Sequence, residues 1–178
     1  DSEKQLRNVG QIIKGINATL NGDLPLLGFA GSPMSLAFFM IAGSSPNQKH
    51  KEILEFIKNN PAFTQALLER LMEITVNYLN YQISSGVHAV QLFESFAHLF
   101  SIELYEKYIQ PAHEKIFRSL NPNTPSILFT KESPHLDLML QSGAKALSVG
   151  NCIDLEAAKK KAPEMIFQGN VDNKILAD

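Results

Sequence analysis

The chain has 178 residues, of which 44% are hydrophobic and 19% charged, and its formal net charge is −2. That apolar content suffices for one packed domain, and the charge offers no electrostatic footprint for nucleic acid or an anionic membrane. The single cysteine, Cys152, excludes an internal disulfide and suits a reducing compartment. No run approaches the ~20 apolar residues that a membrane span needs.

The chain opens Asp1-Ser2-Glu3-Lys4-Gln5, which has the character of neither a signal nor a transit peptide. It lacks an initiator Met and reads as a piece of a longer protein. Leu6, Val9, Ile13, Ile16 and Leu20 then fall on one helical face. The first strand-like run, 24–30, ends in Gly31-Ser32-Pro33. Two further helices are expected at 34–41 and 48–58, and a long one at 61–84 begins at Pro61. A second run, 87–93, ends in Glu94-Ser95, and a helix follows at 101–120. The third run, 126–130, ends in Lys131-Glu132-Ser133. A short helix at 135–142 is stopped by Gly143. The fourth run, 146–149, ends in Gly150-Asn151-Cys152, and Asp154 caps a last helix through Lys161. The fifth run, 165–168, ends in Gly169-Asn170-Val171-Asp172.

The five runs are near-continuously apolar, as in strands buried on both faces of a parallel sheet. Their alternation with helices gives an α/β fold, either a doubly wound sheet or a barrel. In both, functional residues gather where the strands end. Here all five runs end in small or polar residues at equivalent positions, which favours a shared ligand face.

Other chemistry is sparse. Residues 28–33 lack the glycine spacing of a dinucleotide loop, and no Gly-Lys-Ser/Thr follows. Cys152 has no Cys or His at metal-ligand spacing and reads as a structural thiol. Ser95 and His98 lie one helical turn apart without a third member for a triad. His50, His113 and His135 read as solvated or helix-end residues, and His88 as a packed core histidine. Lys159, Lys160 and Lys161 suit a helix C-terminus. The three arginines, Arg7, Arg70 and Arg118, all fall in helical stretches.

Four stretches carry a resemblance. They are 25–33 with Ser35-Leu36 and Phe39-Met40, then Ala89-Val90-Gln91-Leu92-Phe93-Glu94-Ser95, then 126–131, and finally Phe167-Gln168-Gly169-Asn170-Val171-Asp172. In order and separation they resemble the uroporphyrinogen decarboxylase family, from about Gln5 to the end. The resemblance implies a partial (β/α)8 TIM barrel of about five parallel strands with flanking helices, forming one unit over 1–178. It implies conversion of uroporphyrinogen III to coproporphyrinogen III with loss of CO2, without metal or cofactor. The expected partner is a small-molecule tetrapyrrole, with no nucleic acid or membrane, in a full-length homodimer of the cytoplasm.

By position, Ser95 matches a family serine that hydrogen-bonds a substrate carboxylate, and Phe29 an aromatic that packs on the macrocycle. Gly31 belongs to the glycine-rich strand end. Phe39 falls where the family usually has a tyrosine near the reacting acetate. The sequence also departs from the family at Gly150-Asn151, usually Asp-Trp, and at Asn173, usually Pro. The family's arginine loop, its central aspartate and its last-strand histidine match nothing here. No catalytic residue is therefore expected within the chain, and the isolated piece is expected to be inactive. Two alternatives remain open at this stage. One is a cobalamin-linked methyltransferase of the same barrel, which needs a zinc site. The other is a degenerate relative that binds a tetrapyrrole without converting it.

Overall fold

The computed structural model describes residues 2–46, 48–132 and 135–176. Five strands, β1 (Leu27–Gly31), β2 (Ala89–Glu94), β3 (Ser126–Thr130), β4 (Ala146–Ser148) and β5 (Ile166–Gln168), form one sheet in the order β1-β2-β3-β4-β5. Every pairing is parallel. The sheet is open, with β1 and β5 as its two edges. This is the expected partial barrel, and each strand lies within a few residues of the run that predicts it.

The helices are α1 (Ser2–Leu20), α2 (Pro33–Ala42), α3 (His50–Asn59), α4 (Pro61–Ser85), α5 (Ile102–Leu104), α6 (Gln110–Arg118), α7 (Leu136–Leu140) and α8 (Leu155–Lys161). Their ends follow from local chemistry. Ser32 caps α2 by accepting from the Ser35 N–H, and Pro33 opens the first turn, where its missing N–H costs nothing. Gly86, at φ +112, closes α4 in the left-handed conformation and turns the chain into β2. Asp154 caps α8 by accepting from the N–H groups of Glu156 and Ala157, as its position predicts.

The helix expected at 101–120 is not one uniform α-helix. A π-helical turn, Tyr105–Ile109, separates α5 from α6, and the Gln110 N–H reaches back to the Tyr105 carbonyl. Pro111 explains it. Proline offers no N–H to the carbonyl four residues back and its ring crowds that carbonyl, so the turn before it widens.

The strands present two faces. Ala30, Val90, Leu92, Leu128 and Leu147 turn toward the helices and pack with Leu79, Ile116, Phe117 and Met139. A second apolar cluster joins α2, α3 and α4 to the segment after β2, through Phe38, Ile53, Ile57, Leu68, Phe96, Phe100 and Tyr105. Phe38 stacks on Phe96 with centroids 4.7 Å apart. Burial of this kind contributes about 25 cal/mol per Å² of apolar surface. Leu27, Phe29, Phe93, Ile127, Phe129 and Ile166 share the other face, by register. A closed barrel turns that face to its interior. Here it is open, and Phe29 and Ile166 are 61% and 62% exposed.

Two histidine expectations need correction. His88 is exposed rather than packed in the core. It precedes β2, and its Nδ1 accepts from the Leu26 N–H at 2.9 Å while its own N–H donates to the Leu26 carbonyl. His113 is not solvated but 0% exposed, because α6 turns it beneath the end of β2, where a carboxylate and a phenol receive it.

Candidate functional site

The carboxyl ends of the five strands form a rim whose loops are tied to one another in sequence. The first tie joins β1 to β2. The Ser32 N–H donates to the Phe93 carbonyl at 2.8 Å, at the point where β1 gives way to α2. The Glu94 side chain, 0% exposed, accepts from the hydroxyls of Ser32 and Ser35, the latter at 2.7 Å. The Phe96 N–H approaches the same carboxylate at 3.4 Å. Ser35 also accepts, at 2.8 Å, from the N–H of Ser95. Next, the Lys131 N–H donates to the Glu94 carbonyl, joining the end of β2 to the end of β3. The Cys152 thiol donates to the Glu132 carbonyl, tying the β4 loop to the β3 loop. The Asn170 amide finally donates to the carbonyls of Gly150 and Ile153 at 3.0 and 2.5 Å, holding the β5 loop to the β4 loop.

Gly150 is required by close approach. A Cβ there would stand 2.8 Å from the Glu132 backbone, so no larger residue fits without moving the β3 loop.

Phe29 is fixed by an unusual contact. Leu26 and Ser32 bond to β2, so Phe29, at odd parity, turns its peptide groups to the free edge. There the Gln82 amide of α4 meets both. The Phe29 N–H donates to Gln82 Oε1 at 2.9 Å, and Gln82 Nε2 donates to the Phe29 carbonyl at 2.8 Å. The Phe29 ring projects from the open face and meets Phe93 edge-on at 5.9 Å, and Phe93 meets Phe129 at 5.4 Å. Three aromatic rings thus cross three strands in a row.

Of the residues singled out from sequence, Phe29 lies on the open face and Gly31 at the end of β1 beside it. Phe39 sits on α2, half exposed, its ring 5.8 Å from Phe96. Ser95 follows β2 on the rim, half-buried, with its backbone held by Ser35. Ser95 and His98 are not hydrogen-bonded to each other among the described residues. The His98 imidazole pKa is lowered, chiefly by burial and then by the Lys131 ammonium. Ser133 of the third loop lies outside the described residues. Sequence reasoning missed Gln82, Glu94, His113 and Phe93. The one local signal was Ser32-x-x-Ser35 directly before an apolar helix, a pair able to face a common acceptor.

The arginines stand apart from this rim. Arg70 pairs with Glu73 at 2.5 Å on α4, and Arg118 with Glu114 at 3.9 Å on α6. A cavity of about 210 Å³ beside Arg118 and Lys145 opens at the amino ends of the strands, away from the rim.

A parallel sheet with helices on one face and its polar loops gathered at the carboxyl ends is the architecture of the (β/α)8 enzymes, here as an unclosed part. A solved methyltransferase from Methanosarcina mazei shares the fold, with a TM-score of 0.78 and 20% identity over 92% of this chain and 48% of that one. The chain belongs to the uroporphyrinogen decarboxylase family, whose profile, described as "Uroporphyrinogen decarboxylase (URO-D)", matches residues 1–178. The uroporphyrinogen decarboxylase of Cellvibrio japonicus (strain Ueda107) is 36% identical over 181 residues, covering 98% of this chain and 51% of the relative. That of Prochlorococcus marinus (strain AS9601) is 33% identical over 178 residues, covering 97% and 51%. The chain spans about half the length of the curated relatives it matches.

Proposed function

We propose that this chain is the central β/α portion of a uroporphyrinogen decarboxylase, and that the parent protein converts uroporphyrinogen III to coproporphyrinogen III and CO2. The family match across residues 1–178 carries this reading. In the reaction a pyrrole ring is its own electron sink. Protonation at a ring carbon makes a cation, the departing carboxylate leaves its electron pair in that cation, and a proton then completes the new methyl group. The protein must orient a polyanion, exclude water and place the proton donor.

In this reading the row Phe29-Phe93-Phe129 offers an apolar wall to the macrocycle, and Gly31 ends β1 beside it, where an added Cβ would stand 3.1 Å from the Leu36 side chain. The Ser95 hydroxyl receives a substrate carboxylate. Phe39 keeps an aromatic ring near the reacting acetate without offering a hydroxyl. None of the three arginines lies on the rim, so the charges of the substrate are met by residues of the parent protein outside this chain. We extend the proposal to a cytoplasmic homodimer. No helix among the described residues is long and apolar enough to cross a membrane.

The test is to incubate the full-length parent and the 178-residue chain separately with uroporphyrinogen III under reducing conditions. Coproporphyrinogen is expected from the parent and not from the chain. A parent that binds the oxidised porphyrin but yields no product would overturn the enzyme reading in favour of a degenerate relative. The likeness to the M. mazei methyltransferase keeps a second reading open. Stoichiometric zinc in the purified parent, with methyl transfer to a cobalamin, would favour it.

A further inference from the structure

We propose that Glu94 is a positioning residue: through Ser32 and Ser35 it fastens the first turn of α2 to the end of β2, and so sets where Phe39 and Ser95 face the ligand. The kinetic part of this inference rests on the decarboxylase reading; its geometry does not.

Glu94 is the last residue of β2 and turns away from the open face, into the space between the sheet, α2 and α6. Three donors bond to its two oxygens, and His113 Nε2, which has no hydrogen-bond partner among the described residues, lies just beyond bonding distance. Oε1 receives the Ser35 hydroxyl at 2.7 Å and the Phe96 N–H at 3.4 Å. Oε2 receives the Ser32 hydroxyl and stands 3.6 Å from Nε2 of His113. A carboxylate accepts at both oxygens and can serve all three. Both serines are committed in the other direction too, since Ser32 Oγ accepts from the Ser35 N–H and Ser35 Oγ from the Ser95 N–H. The chain of bonds runs without a break from Glu94 through Ser35 to the Ser95 backbone.

The side of the cluster remote from the rim is fixed by Tyr105. Its hydroxyl lies 3.4 Å from Nδ1 of His113, and both residues are fully buried. Burial, and secondarily the Glu94 carboxylate, pushes the phenol pKa up, so Tyr105 keeps its proton. Tyr105 and His113 close the buried side beneath Glu94 while the serines transmit its position above. Phe39 lies on the turn after Ser35, so the same lock sets its ring.

Neither close analogue can replace Glu94. Glutamine turns an NH2 toward either the Phe96 N–H or His113, whichever way its amide lies, and takes an acceptor from one serine hydroxyl. Aspartate is one methylene shorter and cannot reach both hydroxyls and His113 together.

The experiment uses the full-length parent with Glu94→Gln, Ser35→Ala, their combination, and the remote core variant Leu147→Ala. Kinetics with uroporphyrinogen III, the melting temperature, and amide hydrogen exchange at Ser35 and Ser95 are measured on each. Glu94→Gln is expected to raise KM at least tenfold and to speed exchange at both amides at least tenfold. The combination should do no more than Glu94→Gln alone, because one chain of bonds is being cut twice. Leu147→Ala should lower the melting temperature and leave KM within twofold. The proposal falls if Glu94→Gln changes KM no more than Leu147→Ala does, or if the two amides exchange as in the parent. Should Glu94→Gln not fold, Ser35→Ala decides the same question, since it removes the link and leaves Ser32 on the carboxylate. A parent that turns over no uroporphyrinogen sinks the decarboxylase reading alone, and the exchange measurement still decides the role of Glu94.

Discussion

At the scale of single residues, Gln82 does for Phe29 what a neighbouring strand would do, closing both peptide groups on the free edge of β1. Gln82→Leu keeps the bulk and removes both partners, and the cost of leaving such groups unmet is about 1–3 kcal/mol. Urea unfolding should show a loss of that size; a loss below about 0.5 kcal/mol would mean water replaces the amide freely. His98 gives a pH signature. Its pKa is lowered from 6.5 by burial and by Lys131, so the unfolded chain binds its proton more readily than the folded one. Stability should therefore fall as pH drops below about 6.5 and level off once His98 is charged in both states. His98→Gln should flatten that part of a stability–pH curve, and an unchanged slope would assign the effect elsewhere. The cap at Asp154 was legible because it acts within three residues of itself. The Glu94–His113 contact was not, because it needs the chain to leave β2 and return on α6, and no local pattern marks that return.

At the scale of elements, the apolar runs located every strand and Pro61 marked the start of α4, whereas α7 ends at Leu140, ahead of Gly143. The strand faces were harder to read. Runs without alternation hide which residues turn inward, so Phe93 and Phe129 looked like the rest of their runs until register put them beside Phe29. The turn at Tyr105–Ile109 escaped for a related reason, since helical period survives one widened turn. Helix α8 offers a clean test of cap strength. Asp154 accepts two N–H bonds on an exposed seven-residue helix, so Asp154→Ala should cost about 1 kcal/mol and fray α8. Faster amide exchange confined to Glu156 and Ala157 would register it, whereas uniform acceleration across the sheet would show α8 to be coupled to the whole fold.

At the scale of the whole molecule, the unpartnered face and the edges of β1 and β5 dominate the behaviour expected of the isolated chain. Leu27, Phe29 and Ile166 are all strongly exposed on one surface. Apolar surface of that kind, next to unpaired strand edges, drives association. Sedimentation should show the 178-residue polypeptide self-associating, and Phe29→Ser with Ile166→Lys should shift it toward monomer. A monomer at high concentration before any substitution would show that the edges are adequately blocked, with Gln82 as the first place to look. Alternating runs narrowed the fold to a doubly wound sheet or a barrel, and the resemblance of the strand-end motifs chose the barrel. The openness of the sheet was legible only as a count of strands.

The aromatic row has an optical consequence. The chain contains no tryptophan, so its near-ultraviolet emission comes from four tyrosines. Replacing Phe129, at the inner end of the row, with tryptophan would place a lone emitter against whatever lies on Phe93. An oxidised porphyrin resting there would drain that emission by energy transfer, turning a wall of side chains into a direct gauge of occupancy.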